Sequence, residues 1–250
     1  MRLGKDLARA LDPVIFARDC GLDPDPWQTD LLRTRPPKAL LCCGRQVGKT
    51  TTTGVVALEI ACHTPGSLVL IGAPAQRQSG EMLHTIKRLH ARLDDAPAFV
   101  SESVLKVEFE NGSRIVALSG DPKTSRGYAA PALVIVDECA YADDELVNSL
   151  RAMQATVAAP QILALSTPNG RRGYFFEQFT SNDKSWKRIL VKSSECPRIS
   201  PEWLAEQLRE MGPSRYAAEF ECAFLDNDEA AFSTAIIDAA FTSEFKALWT

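Results

Sequence analysis

The sequence predicts an α/β fold: a mostly parallel sheet flanked by helices. Three observations carry that expectation. Four short apolar runs, Ala39 to Cys43, Leu68 to Ile71, Leu133 to Asp137 and Ile162 to Ser166, lack hydrophobic–polar alternation, as strands covered on both faces do. Helical patterns near Thr51 to Cys62, Gln78 to Leu93 and Asp144 to Ala155 lie between them, which is the order of crossover connections. The first apolar run also opens into a short polar loop that ends in Gly48-Lys49-Thr50, just where a helical pattern begins.

That strand–loop–helix has the layout of a phosphate-binding P-loop. Backbone N–H groups at a helix start are unpaired and point outward, so they can hold phosphate oxygens. Lys49 would place a point charge at the β/γ-phosphates, the Thr50 hydroxyl would ligate Mg²⁺, and Gly48 keeps bulk away from the phosphates. The match is imperfect. The usual pattern puts its first glycine where Cys43 stands, and glycine comes one place later, at Gly44. The alternative for this segment is an ordinary strand–loop–helix with a solvated lysine.

The elements follow in order. Ahead of the first strand, Pro24-Asp25-Pro26-Trp27-Gln28 offers a glutamine amide, which can read an adenine edge with one donor and one acceptor. Between the second and third parallel strands, Val104 to Glu110, Asn111-Gly112 and Ser113 to Leu118 form a hairpin signal. This should add antiparallel strands to one edge. The run Ala132 to Val136 ends in Asp137-Glu138. Carboxylates closing an apolar strand cost desolvation unless they are paired or bind metal. After a P-loop this is a Walker B strand: Asp137 orients Mg²⁺ and its waters, and Glu138 polarises the attacking water. The next strand ends in Ser166-Thr167-Pro168-Asn169-Gly170. In a parallel sheet these loops converge at the strand ends, where Ser166 or Thr167 would sense the γ-phosphate. Arg45, inside the loop, and Arg126, in Thr124-Ser125-Arg126-Gly127-Tyr128, are candidates for transition-state charge, the first in cis and the second across a subunit interface.

After about Lys192 the texture changes. Ser200-Pro201-Glu202 opens a helix with proline at its first position, and Trp203, Leu204, Leu208 and Met211 line one face. A second short helix is expected near Ser214 to Phe220. The expected division is therefore a P-loop ATPase core over residues 1–192 and a small helical lid subdomain over 193–250.

Bulk properties limit the alternatives. The chain has 250 residues, 45% of them hydrophobic, enough for one large core with a small appendage. The formal charge of -4 gives no support for a protein that coats nucleic acid. Local contacts remain open, with basic residues at Arg171, Arg172, Lys184, Lys187, Arg188 and Lys192. No run is long enough to span a bilayer and no leading segment has signal-peptide character, so no membrane association is expected. Seven cysteines without a C-x-x-C pair argue against a disulfide framework or a zinc site.

Taken together these residues resemble the ATPase domain of a bacteriophage large terminase. The resemblance covers nearly the whole chain. It rests on the Trp27-Gln28 segment, the Arg45-Gln46-Val47-Gly48-Lys49-Thr50 loop without its first glycine, and the Ser125-Arg126-Gly127 segment. It rests also on Asp137-Glu138, on Ser166-Thr167-Pro168 followed by Gly173-Tyr174-Phe175-Phe176, and on Tyr216 to Leu225. The resemblance implies a P-loop NTPase of the ASCE, RecA-like type that uses ATP and Mg²⁺. Trp27, Gln28 and the loop residues Gly44, Arg45, Gln46, Val47, Gly48, Lys49, Thr50 and Thr51 would bind ATP. Thr50 and Asp137 would hold the metal, Glu138 would be the catalytic carboxylate, Thr167 would couple hydrolysis to movement, and Arg45 or Arg126 would supply charge. It implies ATP-driven translocation of double-stranded DNA in the host cytoplasm by a homo-oligomeric ring, a pentamer, docked on the portal protein of a procapsid and served by a small terminase subunit. Large terminases also carry a C-terminal nuclease domain; few acids follow residue 225, so no nuclease activity is expected from these residues. A helicase-like translocase needs two RecA-like domains, and a regulatory ATP-binding switch has no use for Glu138. Those are the rival readings.

Overall fold

The computed structural model describes residues 2–118 and 127–225. The chain opens with three helices, α1 (Arg2–Leu11), α2 (Pro13–Asp19) and α3 (Pro26–Thr34). Strand β1 (Lys38–Cys43) leads into α4 (Lys49–His63), and β2 (Leu68–Gly72) into α5 (Gln76–His90). Strands β3 (Phe99–Glu102), β4 (Lys106–Phe109) and β5 (Arg114–Ala117) come next. Then come β6 (Leu133–Asp137), a 3-10 turn at Cys139–Tyr141, α6 (Asp144–Ala152), β7 (Gln161–Ser166), α7 (Gly173–Thr180) and β8 (Lys187–Val191). A second 3-10 turn at Ser193–Glu195 leads to α8 (Pro201–Met211) and α9 (Pro213–Glu221).

The strands form one sheet in the order β3-β4-β5-β2-β6-β7-β1-β8. Six of them are joined by parallel pairings; β4 lies antiparallel to both β3 and β5. The predicted α/β class and the edge hairpin are both present. The four predicted parallel strands sit within one residue of their expected limits. They occupy the middle of the sheet, where every residue of β2 and β6 is buried. Alternate residues of each strand feed two separate cores. Ala39, Leu41 and Cys43 face α2 to α5, whereas Leu40 and Cys42 face α6 and α7. Burial on both faces is why these strands show no alternation in sequence.

Strand β7 sets the geometry of the sheet's carboxyl edge. It lies between β1 and β6, with Cys42 opposite Ser166 and Asp137 opposite Leu165. The carboxyl ends of three adjacent parallel strands are thus aligned side by side.

Several features differ from expectation. Strand β8 is not predicted by the sequence; Lys187-Arg188-Ile189-Leu190-Val191 reads as a mixed charged segment. It is an edge strand, and charge is common on edges. Lys187 pairs with Asp30, and Arg188 donates to the carbonyls of Gln178, Ser181 and Asp183. Lys192 pairs with Glu221 at 3.2 Å. Much of the basic cluster expected as a solvated or DNA-facing group is therefore occupied within the fold. In α8 the capping agrees with the sequence pattern: the Ser200 hydroxyl oxygen accepts from the Trp203 N–H. The expected apolar face is only partly buried, since Leu204 is covered while Trp203 and Leu208 remain 37% and 41% exposed. Among the described residues the cysteines are free, and no helix is long and apolar enough to cross a membrane.

Gly44 shows how tightly the C-terminal helices close on β1. A Cβ there would come within 2.7 Å of the Phe220 carbonyl oxygen and 2.8 Å of the Ser193 nitrogen. Backbone cannot yield as a flexible side chain can. Gly44→Ala should therefore cost about 1–3 kcal/mol in urea unfolding, as overpacking does. A variant as stable as the parent would show that this contact is loose.

Candidate active site

Three segments meet at the carboxyl end of β1, β7 and β6. The P-loop leaves β1 at Cys43, a fully buried core residue. The position of the missing first glycine is thus the last residue of a strand, with its side chain in the core. The glycine one place later is required by the backbone at Ser193 and Phe220. Gly48 then adopts φ +90°, and Gln46 also takes a left-handed φ of 65°. α4 begins at Lys49. The Arg45 N–H donates to the Glu219 carbonyl and the Gly44 N–H to the Val191 carbonyl, so neither faces a ligand. Among the described residues the N–H groups of Gln46, Val47 and Gly48 have no such partner, and they open with the helix start toward solvent. This is an anion cradle. Arg45, Gln46, Gly48, Lys49, Thr50 and Thr51 line a hollow of about 230 Å³ over it. The Val47 side chain is fully buried, so that residue offers only backbone.

A second cleft, of about 330 Å³, adjoins it. Lys49, Glu138, Thr167 and Arg45 line it, together with Gln78, Tyr141 and Glu219. Lys49 Nζ lies 3.2 Å from Glu138 Oε1, and the Ser166 hydroxyl donates to Glu138 Oε2 at 3.3 Å. Glu138 itself is held at φ 49°, a left-handed conformation that costs a non-glycine residue and clusters at functional sites. Its N–H donates to Asp137 Oδ1 at 3.0 Å. Asp137 is 6% exposed. Burial, then the neighbouring Glu138 charge, push its carboxyl up to about 6 against the pull of Lys49. A divalent cation beside Asp137 would relieve that cost. A carboxylate and the Thr50 hydroxyl are hard oxygen donors of the kind Mg²⁺ takes alongside phosphates, so the donor set fits. A larger hollow, about 460 Å³, lies among Gln76, Arg77, His84 and Val104. It holds none of these groups, and chemistry rather than size locates the site.

The fold brings Lys49, Asp137, Glu138 and Thr167 together, as the sequence leads one to expect. Two expectations need correction. Gln28 does not present an adenine contact: its side chain is fully buried. Its Oε1 accepts the Asp25 N–H at 2.7 Å, and its Nε2 donates to the Thr52 hydroxyl at 2.7 Å. Thr52 in turn donates to the Gly48 carbonyl. The amide is a brace under the P-loop, and Trp27 beside it packs half-buried on the core. Arg45, expected at the phosphates, has its guanidinium in a bidentate pair with Glu219 on α9, at 2.7 and 3.0 Å. It lines the cleft but is already neutralised. Arg126 lies outside the described residues.

Sequence reasoning missed Glu219, Gln78, Tyr141 and Arg198. Arg198 makes a bidentate pair with Asp25, 2.8 Å at each oxygen, and reaches the Val47 carbonyl at 3.4 Å. No local pattern announces these groups. Glu219 and Arg198 belong to the site because the chain returns to the P-loop after more than a hundred residues.

Fold and site together define a P-loop NTPase domain. The family model for the terminase large subunit, T4likevirus-type, N-terminal, matches residues 40–238, and the chain belongs to that family. Solved structures of similar fold include the large terminase ATPase domain of Thermus phage P74-26, with TM-score 0.68 and 21% identity, covering 84% of this chain and 97% of that one. The large terminase of the thermophilic bacteriophage D6E in complex with ADP matches at TM-score 0.66 and 13% identity, over 80% of this chain and 51% of that one. The bacteriophage HK97 large terminase matches at TM-score 0.67 and 16% identity, over 80% and 50%. This chain thus spans about half the length of the latter two proteins.

The brace role of Gln28 has a direct consequence. Gln28→Ala strands the Asp25 N–H and removes a partner of Thr52, and should cost about 1–3 kcal/mol of stability with no nucleotide present. Chemical denaturation of the nucleotide-free chain measures this. Unchanged stability would return the amide to a purely ligand-facing role.

Proposed function

We propose that this chain is the ATP-hydrolysing motor domain of a viral large terminase, which translocates double-stranded DNA into a procapsid. The observation that carries this reading is the meeting of Lys49, Glu138 and Thr167 at one cleft beside an open helix start, with the buried Asp137 carboxylate bonded to the Glu138 N–H. A strained glutamate beside a buried aspartate, at the end of an apolar strand, has no use in a structural protein.

The roles follow from placement. The P-loop N–H groups and Lys49 hold the β- and γ-phosphates. Thr50 and Asp137 would hold Mg²⁺, which would neutralise phosphate charge. Glu138 orients the attacking water and takes its proton. Without ligand, Lys49 occupies Glu138. A triphosphate recruits Lys49 to its oxygens and so frees Glu138 for water. Thr167 faces the same cleft from the end of β7 and reads whether the γ-phosphate is present. Residues 193–225 act as the lid, closing on the P-loop through Arg45–Glu219 and Arg198–Asp25; the rest of the expected lid, 226–250, lies outside the described residues. The working form is a homo-oligomeric ring, a pentamer, in the host cytoplasm, docked on the portal and partnered by the small terminase subunit. Arg126 of one subunit supplies charge to the nucleotide of the next.

Glu138→Gln removes the proton acceptor and keeps the shape. Steady-state ATP turnover should fall about 100-fold or more, the scale of general-base loss, with ATP binding retained. Undiminished turnover would remove Glu138 from the mechanism and favour a binding-only switch. For the arginine, we expect mixtures of Arg126→Ala and Lys49→Ala chains to recover turnover that neither shows alone, because some interfaces then pair an intact P-loop with an intact arginine. No recovery at any mixing ratio would place Arg126 outside the neighbouring site.

A further inference from the structure

One polar group in the cleft has no part in the hydrolytic scheme. Gln78 stands in the first turn of α5 and lines the cleft with Lys49 and Glu138. Its Oε1 accepts the Ala75 N–H at 3.1 Å. That bond fixes which way the amide points. A backbone N–H requires an acceptor, so the carbonyl oxygen faces the helix end and the Nε2 faces away from it. Among the described residues the Nε2 makes no hydrogen bond. The support beneath it is firm. The next residue, Ser79, is fully buried and donates to the Leu118 carbonyl at 2.6 Å, which ties this turn to the end of the sheet. An amide held this way presents two donor hydrogens at a fixed place. Across the cleft stand the lysine that takes the β/γ-phosphates and the glutamate that takes the water, so the oxygens between them belong to the terminal phosphate.

We infer that Gln78 is a ligand of the terminal phosphate, its Nε2 donating to a γ-phosphoryl oxygen of ATP that ADP lacks. This rests on the ATPase reading. It makes α5 a fourth element that registers the state of the nucleotide, beside the P-loop, the β6 end and the β7 end. The competing role is a cap alone, since glutamine at the third position of a helix serves the preceding N–H in many helices.

Gln78→Glu separates the two. It keeps an acceptor for the Ala75 N–H, and glutamate caps as well as glutamine, but it puts a carboxylate where the donors were. Gln78→Ala removes both functions. On the full chain, thermal unfolding, ATP turnover and the binding of ADP and ATPγS are to be measured for both variants and for Lys49→Ala. Gln78→Glu should unfold as the parent does. Its kcat/KM should fall about 30-fold or more and its affinity for ATPγS about 10-fold, the scale of a lost hydrogen bond to a charged group, while ADP affinity stays within about twofold. Gln78→Ala should lose less kcat/KM than Gln78→Glu, since it adds no repulsion. Parental turnover and ATPγS affinity in Gln78→Glu would reduce Gln78 to a cap. Equal weakening of ADP and ATPγS would overturn the γ-phosphate assignment as well. If the parent binds no ATP, or Lys49→Ala binds it undiminished, the ATPase reading fails first and takes this inference with it.

Discussion

The Lys49–Glu138 ion pair is the contact on which the site depends. Both side chains are largely buried, 13% and 24% exposed, and a buried charge without its partner is costly. The cleft is nevertheless out of balance. Asp137 and Glu138 supply two carboxylates against one lysine, and burial together with Glu138 keeps the Asp137 carboxyl up at about 6. Arg45 does not correct this, because Glu219 neutralises it. A triphosphate entering such a site adds further negative charge. A divalent cation beside Asp137 would offset part of that charge.

The second constraint is that the P-loop is clamped from both sides by the C-terminal segment. Val191 and Glu219 take the Gly44 and Arg45 N–H groups, and the Ser193 hydroxyl donates to the Arg45 carbonyl. Arg198 joins the Val47 carbonyl to Asp25, whose N–H is held by Gln28, whose amide reaches Thr52 inside α4. This is a closed circuit of hydrogen bonds through the P-loop, α3, α4 and the C-terminal segment. A shift of α8 and α9 must pull on the loop that cradles phosphate, and the reverse holds equally.

What the sequence made legible was local. The β2 and β6 strands are buried throughout, so their apolar runs are unbroken. Gly48 and Lys49 stand where a loop gives way to a helix, and Asp137 and Glu138 where a strand gives way to a loop, changes in pattern visible in one dimension. Thr167 was legible for the same reason. Gln28 misled because its amide chemistry is the same whether it meets adenine or a buried threonine; only burial decides between them. Arg45 misled because its partner lies 174 residues away. Strand β8 was hidden because an edge strand tolerates charge, and its Lys187 and Arg188 spend that charge on Asp30 and on carbonyls. Gln78 was visible only as a helix residue, since the cleft it lines is made by the packing of strand ends.

The strand order explains why these groups meet. Placing β7 between β1 and β6 brings Ser166 beside Cys42 and leaves Asp137 at the same level. Ser166 then touches Glu138 while Thr167, one residue on, faces the cleft. Glu138 lines that same cleft, so the end of β7 and the residue after it both reach one space. Beyond it, the Asn169 amide donates to the Ala140 carbonyl at 3.2 Å, binding the β7 turn to the segment after Glu138. The two loops must therefore move together. Glu138, held in a strained left-handed conformation, is the element with most to gain from such a move. Thr167 and the Lys49–Glu138 pair thus share one cleft, and the β7 turn ties its two walls together.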